Sequence, residues 1–351
     1  MQNRPAFTHQ LGVVGRLAAN ALARRLKGRI DPAPDRTAFR ETLARWIADF
    51  PGDRLADHRF VEIPGNRPPW QDTGIDLRPG DTVTLMAEGR VYLSRMLDLW
   101  VGPHFQLWAR VGDEGPVFRG TRRTHTFTAD HAGRLQLASY FPGEWADRQG
   151  HLGTSPGDYR GISGGMTVLV LRWAAEADGP ALLRDQAARP DAPDPVGEEA
   201  ARLADGTGPP EGWQYLWFLG PAEIFSRTRA PRVTDGDGII RCHTHCDVGI
   251  LQHDADLPLT PETRLEWAWR IDELPSPYAE DTMPTHDYLS IAAEFDNGQD
   301  ITWMWSSELP AGTVFTCPLP TWKDRETHVV IRSGSEGLGT WTSESRNLYE
   351  D

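Results

Sequence analysis

Cysteine is scarce in this chain: Cys242, Cys246 and Cys317 are the three in 351 residues. That is too few for the disulfide framework on which small secreted domains rely. Long apolar runs are missing too. No stretch reaches the roughly 18 apolar residues of a membrane span, and Met1 to Gln10 lack the charged start and apolar core of a signal peptide. A cytoplasmic protein is expected. Basic residues cluster only in Arg16, Arg24, Arg25, Lys27 and Arg29, and the net charge is −14. A phosphate-binding surface needs more clustered positive charge, so nucleic acid is not an expected partner. The basic run could touch an anionic lipid or RNA, or simply be the solvated face of a helix. The common signatures of chemistry are absent as well. There is no G-x-G-x-x-G after a strand, P-loop, G-x-S-x-G elbow, H-E-x-x-H or paired C-x-x-C. Gly161 to Gly165 is glycine-rich but opens a strand, so it reads as a turn.

Among the residues that are present, 34 Gly and 28 Pro favour turns over long helices, and 14 Trp are conspicuous beside 7 Tyr and 12 Phe. The length suggests two domains, each able to bury a core. Apolar residues at helical spacing predict a helix over 11–26 and a second over 36–49, each closed by proline-rich punctuation. From His58 the period changes to two, and turn signals recur roughly every eight to twelve residues, the spacing of a β-sandwich. Residues 175–211 are rich in Ala, Asp, Pro and Gly and read as a linker with a short helix. The β pattern then resumes from Gly212. The expectation is a mostly β protein of two jelly-roll-like β-sandwich domains, 56–174 and 212–351, preceded by a helical segment over 1–55.

Several runs of the first sandwich carry a resemblance. They are Trp70 to Ile75, Pro79-Gly80-Asp81 with Val83 to Gly89, Leu107 to Gly112, Phe127 to Ala129 with Gly133 to Leu137, and Pro142 to Gly150. Together they resemble the PA-I-like galactose-binding lectin family. That resemblance implies a sandwich with a calcium ion in its last loop, held by carboxylate and amide oxygens. Calcium wants six to eight oxygen ligands. Here the loop offers Asp147, places Arg148 where another oxygen ligand belongs and has Tyr140 in place of an acidic one, so the sandwich is expected without the ion. The C-terminal half, through Gly238 to Cys242, Leu265 to Ile271, Asp287 to Phe295, Thr302 to Trp305, Val329 to Gly334 and Gly339 to Arg346, resembles the DUF3047 family. That implies a sandwich and no assigned chemistry.

Four constellations could carry function. In Arg241-Cys-His-Thr-His-Cys246, a strand puts His243 and His245 on one face, about 7 Å apart. They could serve as an acid–base pair or as the start of a zinc site, with a third ligand from His253, His286, Asp287 or Glu294. Alternation places Trp267 with Trp269, and Trp303 with Trp305, as two aromatic pairs that either wall a ring-shaped ligand or fill a core. Glu294 in an apolar strand calls for a partner, Arg270 or Arg332. In the first sandwich His104, Gln106 and Trp108, with His125 and Asp130 nearby in sequence, resemble a polar-plus-aromatic sugar shelf.

The favoured reading is a binding protein for a carbohydrate or similar cyclic or polyol small molecule, with Trp267, Trp269, Trp303, Trp305, Glu294, His104 and Trp108 at the ligand. No cofactor is expected; calcium and zinc are not favoured. The alternative is a cofactor-independent lyase, hydratase or glycoside-acting enzyme. In it His243 and His245 act as acid and base, Arg270 stabilises an anion and Asp287 orients an imidazole. A third reading is a structural or partner-binding protein that uses the helix over 11–26. The sequence leaves the oligomeric state open.

Overall fold

The computed structural model describes residues 7–205, 208–228, 238–243, 247–286, 289–319 and 322–351. The chain divides into two compact units: residues 29–254, and residues 1–28 together with 255–351. Helix α1 (Phe7–Leu26) belongs to the second of these.

In the unit formed by residues 29–254, α2 (Arg36–Ala48) is followed by the strands of a sandwich. One sheet has the order β1 (Leu55–Pro64), β9 (Ser163–Trp173), β3 (Thr82–Ser94), β4 (Leu99–Val101), with β7 (Thr124–Thr128) also paired to β3. The other runs β2 (Trp70–Leu77), β8 (Gly133–Ser139), β5 (Leu107–Val111), β6 (Phe118–Arg119). A single turn of helix, α3 (Pro103–Gln106), leads into β5. Alternation fills the space between the sheets: Val83, Leu85 and Ala87 from β3 meet Met166, Val168 and Val170 from β9, and Leu135 and Leu137 from β8.

Strand β9 is apolar on both faces, and this is why the sandwich is covered on its outer side. Leu169, Leu171 and Trp173 point away from the inner core, where Leu43, Trp46 and Ile47 of α2 pack on them with Leu183 and Val196. Those last two residues come from α4 (Gly179–Ala187) and α5 (Asp194–Asp205). The segment expected as a linker is therefore largely two helices fixed to the sheet. Its alanine-rich composition hides Leu183, Val196 and Ala200, which supply the buried stripe. Asp35 and Asp178 cap α2 and α4 by accepting hydrogen bonds from first-turn amides.

The outer face of the second sheet is covered by residues of the 208–254 stretch. Trp217 and Leu219 pack against Phe105, Trp108, Tyr140 and Trp145. Strand pairing within this stretch is sparse: β10 (Gln214–Tyr215) with β13 (Leu251–Gln252), and β11 (Phe225–Thr228) with β12 (Ile239–Cys242). Among the described residues, this stretch is also held by the sandwich beneath it.

In the other unit, β15 (Ser290–Glu294), β16 (Asp300–Ser306), β18 (Glu326–Ser333) and β17 (Val314–Thr316) form a four-stranded sheet in that order, with β16 and β18 parallel. A separate antiparallel pair joins β14 (Arg264–Trp269) to β19 (Thr342–Asn347). The indoles of β14 meet those of β16: Trp267 lies 5.9 Å from Trp303, and Trp269 lies 5.7 Å from Trp305, between ring centroids. The opposite side of β16 sends Met304 to Phe315 and Val330. The mostly β, sandwich-like architecture is as expected.

Candidate functional site

A cleft of about 360 Å³ opens in the 29–254 unit where α2, the start of α5 and strand β3 come together. That volume falls in the range of small-molecule sites. One wall is apolar: Phe39 and Leu43 of α2, with Pro34, Pro193 and Pro195. The prolines are where the helices begin, since a ring with no N–H costs nothing at a helix start. The rest of the lining includes charged groups, with Glu88 from β3 and Arg123 beside it.

The charged wall is held in place by its own bonds. Arg123 donates Nε to Glu198 Oε2 at 2.7 Å and Nη2 to Glu198 Oε1, while Nη1 donates to Glu88 Oε2. Hydrogen bonding to Glu198, the largest contribution, raises the guanidinium above its ordinary value. Glu88 Oε1 accepts from the Gly89 amide at 3.0 Å. Gly89 has φ 144°, and a Cβ there would fall 2.2 Å from the Gly165 carbonyl oxygen, so the backbone beside Glu88 admits glycine alone. Asp35 Oδ1 is committed to the amides of Thr37 and Ala38. The result is a set of fixed oxygen acceptors in a cleft that Phe39 and three prolines also line. Asp35 and Asp194 add negative charge around Arg123, which disfavours an anionic ligand and suits hydroxyl donors.

Those residues singled out from the sequence that the structure describes lie elsewhere. Trp303 and Trp305 are 0% and 1% exposed, and their indole N–H groups donate to Asp351 and to the Gly334 carbonyl. Trp269 is buried and donates to Glu344, and Trp267 lies against Trp269 and Trp303. The four rings form an interior, the packing alternative of the two weighed for them. Glu294 lies on an exposed strand, with Arg325 at 3.8 Å; Arg270 instead pairs with Asp272 and Arg332 with Glu344. His243 is exposed just past the end of β12, donating its amide to the Ile224 carbonyl. His245 and Asp287 lie outside the described residues. His243 belongs to the 29–254 unit and Arg270 to the other. Trp108 and Gln106 are both fully buried, Trp108 in the aromatic layer with Tyr140 and Trp145. Gln106 bridges Ser139 and the Phe141 backbone. His104 offers its carbonyl to Arg119. A surface shelf does not form there, because residues 217–219 occupy that face.

The loop that would hold calcium is likewise engaged. Asp147 accepts from the amides of Gln149 and His151 and contacts the His151 ring at 2.8 Å. Arg148 lies over the Trp217 ring, and the Tyr140 hydroxyl donates to the Phe218 carbonyl. Among the described residues, no three His, Cys, Asp or Glu side chains are grouped to hold a metal ion. None of the described helices is long and apolar enough to cross a membrane.

The cleft residues were not found from the sequence. Phe39 carried a signal as part of an amphipathic helix face, but Glu88 and Arg123 are distant in the chain and become neighbours only through the pairing of β3 with β7.

Comparison with known proteins places the C-terminal residues first. Residues 212–351 match DUF3047, a family of proteins of unknown function, as their sequence resemblance led one to expect. The chain is also similar to the N-terminal domain of EclA, a PllA-like lectin, at 15% identity and a TM-score of 0.26, over 35% of this chain and 99% of that one. A functionally unknown conserved protein from Bacillus anthracis, and a mutant of it, match at 16% identity and a TM-score of 0.19 over 33% of this chain. This chain spans 21% of their length. No curated protein matches.

Proposed function

We propose that the protein binds a small neutral polyol or carbohydrate ring in the cleft between α2, α5 and β3. The observation that carries this is that Phe39 and its neighbouring prolines line one cleft with the Glu88–Arg123 pair. A sugar ring presents one apolar face and a rim of hydroxyls. The apolar face gains dispersion contact on an aromatic surface. The hydroxyls donate to carboxylates that are already oriented, so little ordering is lost on binding.

The test is a thermal-shift and calorimetric screen of neutral monosaccharides, disaccharides and cyclitols against the full chain. At least one should raise the melting temperature. Glu88→Gln should weaken that ligand by about 10- to 100-fold, as expected when a hydrogen bond to a charged acceptor is lost. Phe39→Ala should weaken it through the apolar wall. A broad panel with no stabilising sugar or cyclitol, or a ligand that binds wild type and Glu88→Gln equally, overturns the reading.

A further inference from the structure

We infer that helix α1 is an interfacial element that lays one of its faces on an anionic lipid surface. The helix has two apolar sides. One is fastened to its own unit: Val13 and Ala21 are buried, Asn20 donates to the Tyr278 hydroxyl, His9 meets Asp281 at 3.0 Å, and Arg16 is bound to Glu308 and to the Pro277 carbonyl. The opposite side carries Leu11, Val14, Leu22 and Leu26, exposed by 53%, 39%, 57% and 81%. These positions recur at helical spacing and form one stripe, with Ala18 between them. An unpaired apolar stripe on a helix that is already docked by its other face calls for an outside occupant.

Charge says which occupant. Every charged side chain in the first 30 residues is basic, in a chain whose net charge is −14. Arg24 and Arg25 close the helix, with Lys27 just beyond, at the same end as Leu22 and Leu26. Exposed leucines beside a basic cluster are the two signals an anionic leaflet reads: apolar burial at the headgroup boundary and attraction to the surface potential. A second copy of this chain would also bring exposed apolar residues, Leu257, Leu259 and the α1 stripe itself among them, so dimerisation is the competing outcome that the test separates. The acidic remainder of the chain would be repelled by the same leaflet, so contact is confined to α1.

The test is co-sedimentation of the full chain with vesicles of phosphatidylcholine alone and of phosphatidylcholine mixed with phosphatidylglycerol. Binding should appear with the anionic vesicles and fall as salt rises. The double variant Leu22→Ser/Leu26→Ser should lose at least tenfold in partitioning while keeping its melting temperature, since both side chains are exposed. Arg25→Gln/Lys27→Gln should lose about fivefold per charge removed. The inference is overturned by absence of binding, by equal binding to neutral vesicles, or by variants that bind like wild type. It is also overturned if the leucine variant instead dissolves a dimer seen by analytical ultracentrifugation in a protein that ignores lipid.

Discussion

The Arg119 guanidinium lies 3.7 Å from the Asp247 carboxylate, with the two side chains 0% and 7% exposed. Arg119 also donates to the carbonyls of Leu219 and His104, each at 2.6 Å. Burial lowers its guanidinium to about 10, against the opposing pull of Asp247, so it stays charged at neutral pH. One side chain thus ties the 208–254 stretch to the sandwich. Replacing it removes the positive charge beside a buried carboxylate and takes the donor from several carbonyls. Arg119→Met should cost about 3–5 kcal/mol in denaturant unfolding. It should also expose the 208–228 stretch to limited proteolysis first. Unchanged stability and unchanged cleavage would show that Trp217 and Leu219 suffice to hold it.

Asp300 should make the protein more stable as the medium becomes mildly acidic. Burial and the neighbouring Glu326 raise its carboxyl from 3.8 to about 7. The folded state therefore binds its proton more tightly than the unfolded chain. Folded-state stability is gained as pH falls through about 7 and is fully present below the ordinary carboxylate value. At pH 8 the ionised group disfavours the fold. Asp300→Asn should raise the melting temperature at pH 8 by a free-energy gain of up to about 3 kcal/mol, and should change little at pH 4. A variant that is destabilised equally at both pH values contradicts this.

His125 has the opposite sign. Burial, aided by the positive charge of Arg202, lowers its imidazole from 6.5 to about 4, and its Nδ1 is shut away from water. The unfolded chain takes up a proton first. Stability contributed by the neutral ring is full above pH 6.5 and lost as pH falls to about 4. In Asp300→Asn this loss should stand uncovered as a falling melting temperature between those values, and adding His125→Phe should flatten it. A melting temperature that still falls in the double variant would assign the acid sensitivity to another group.

The indole cluster should matter for folding and leave ligand binding alone. Trp303→Ala removes a fully buried ring in contact with Trp267. The cost should be about 3–5 kcal/mol. Any sugar or polyol found in the screen should bind the still-folded fraction with unchanged affinity. A selective loss of binding with preserved stability would restore these rings to a ligand role.

Much of the architecture was legible in the residues because a sandwich writes its pattern locally. Val83, Leu85 and Ala87 alternate with Thr84 and Met86, and the alternation alone assigns their faces. The same rule put Trp267 and Trp269 on one side of β14. What it cannot say is whether a side faces a ligand or another sheet, since both are apolar. That depends on β16, whose Trp303 and Trp305 arrive from across the unit. The 175–211 segment reads as a linker with a short helix for a related reason: its few large apolar residues sit among Ala, Pro and Asp, yet Leu183 and Val196 are enough to fix α4 and α5 when β9 offers a second apolar face. The cleft was illegible because its charged wall joins Glu88, Arg123 and Glu198, which no local spacing connects.

Helix α1 finds its partners far along the chain: His9 and Asp281 are 272 residues apart. Loop closure over such a span costs little more in free energy than over half of it. The cost is one of time. At a synthesis rate of roughly 5–20 residues per second, the helix emerges tens of seconds before Tyr278, Asp281 or Glu308 exist. During that interval both of its greasy flanks are bare, and the nascent chain must either keep them solvated or lend them to whatever surface lies close to the ribosome.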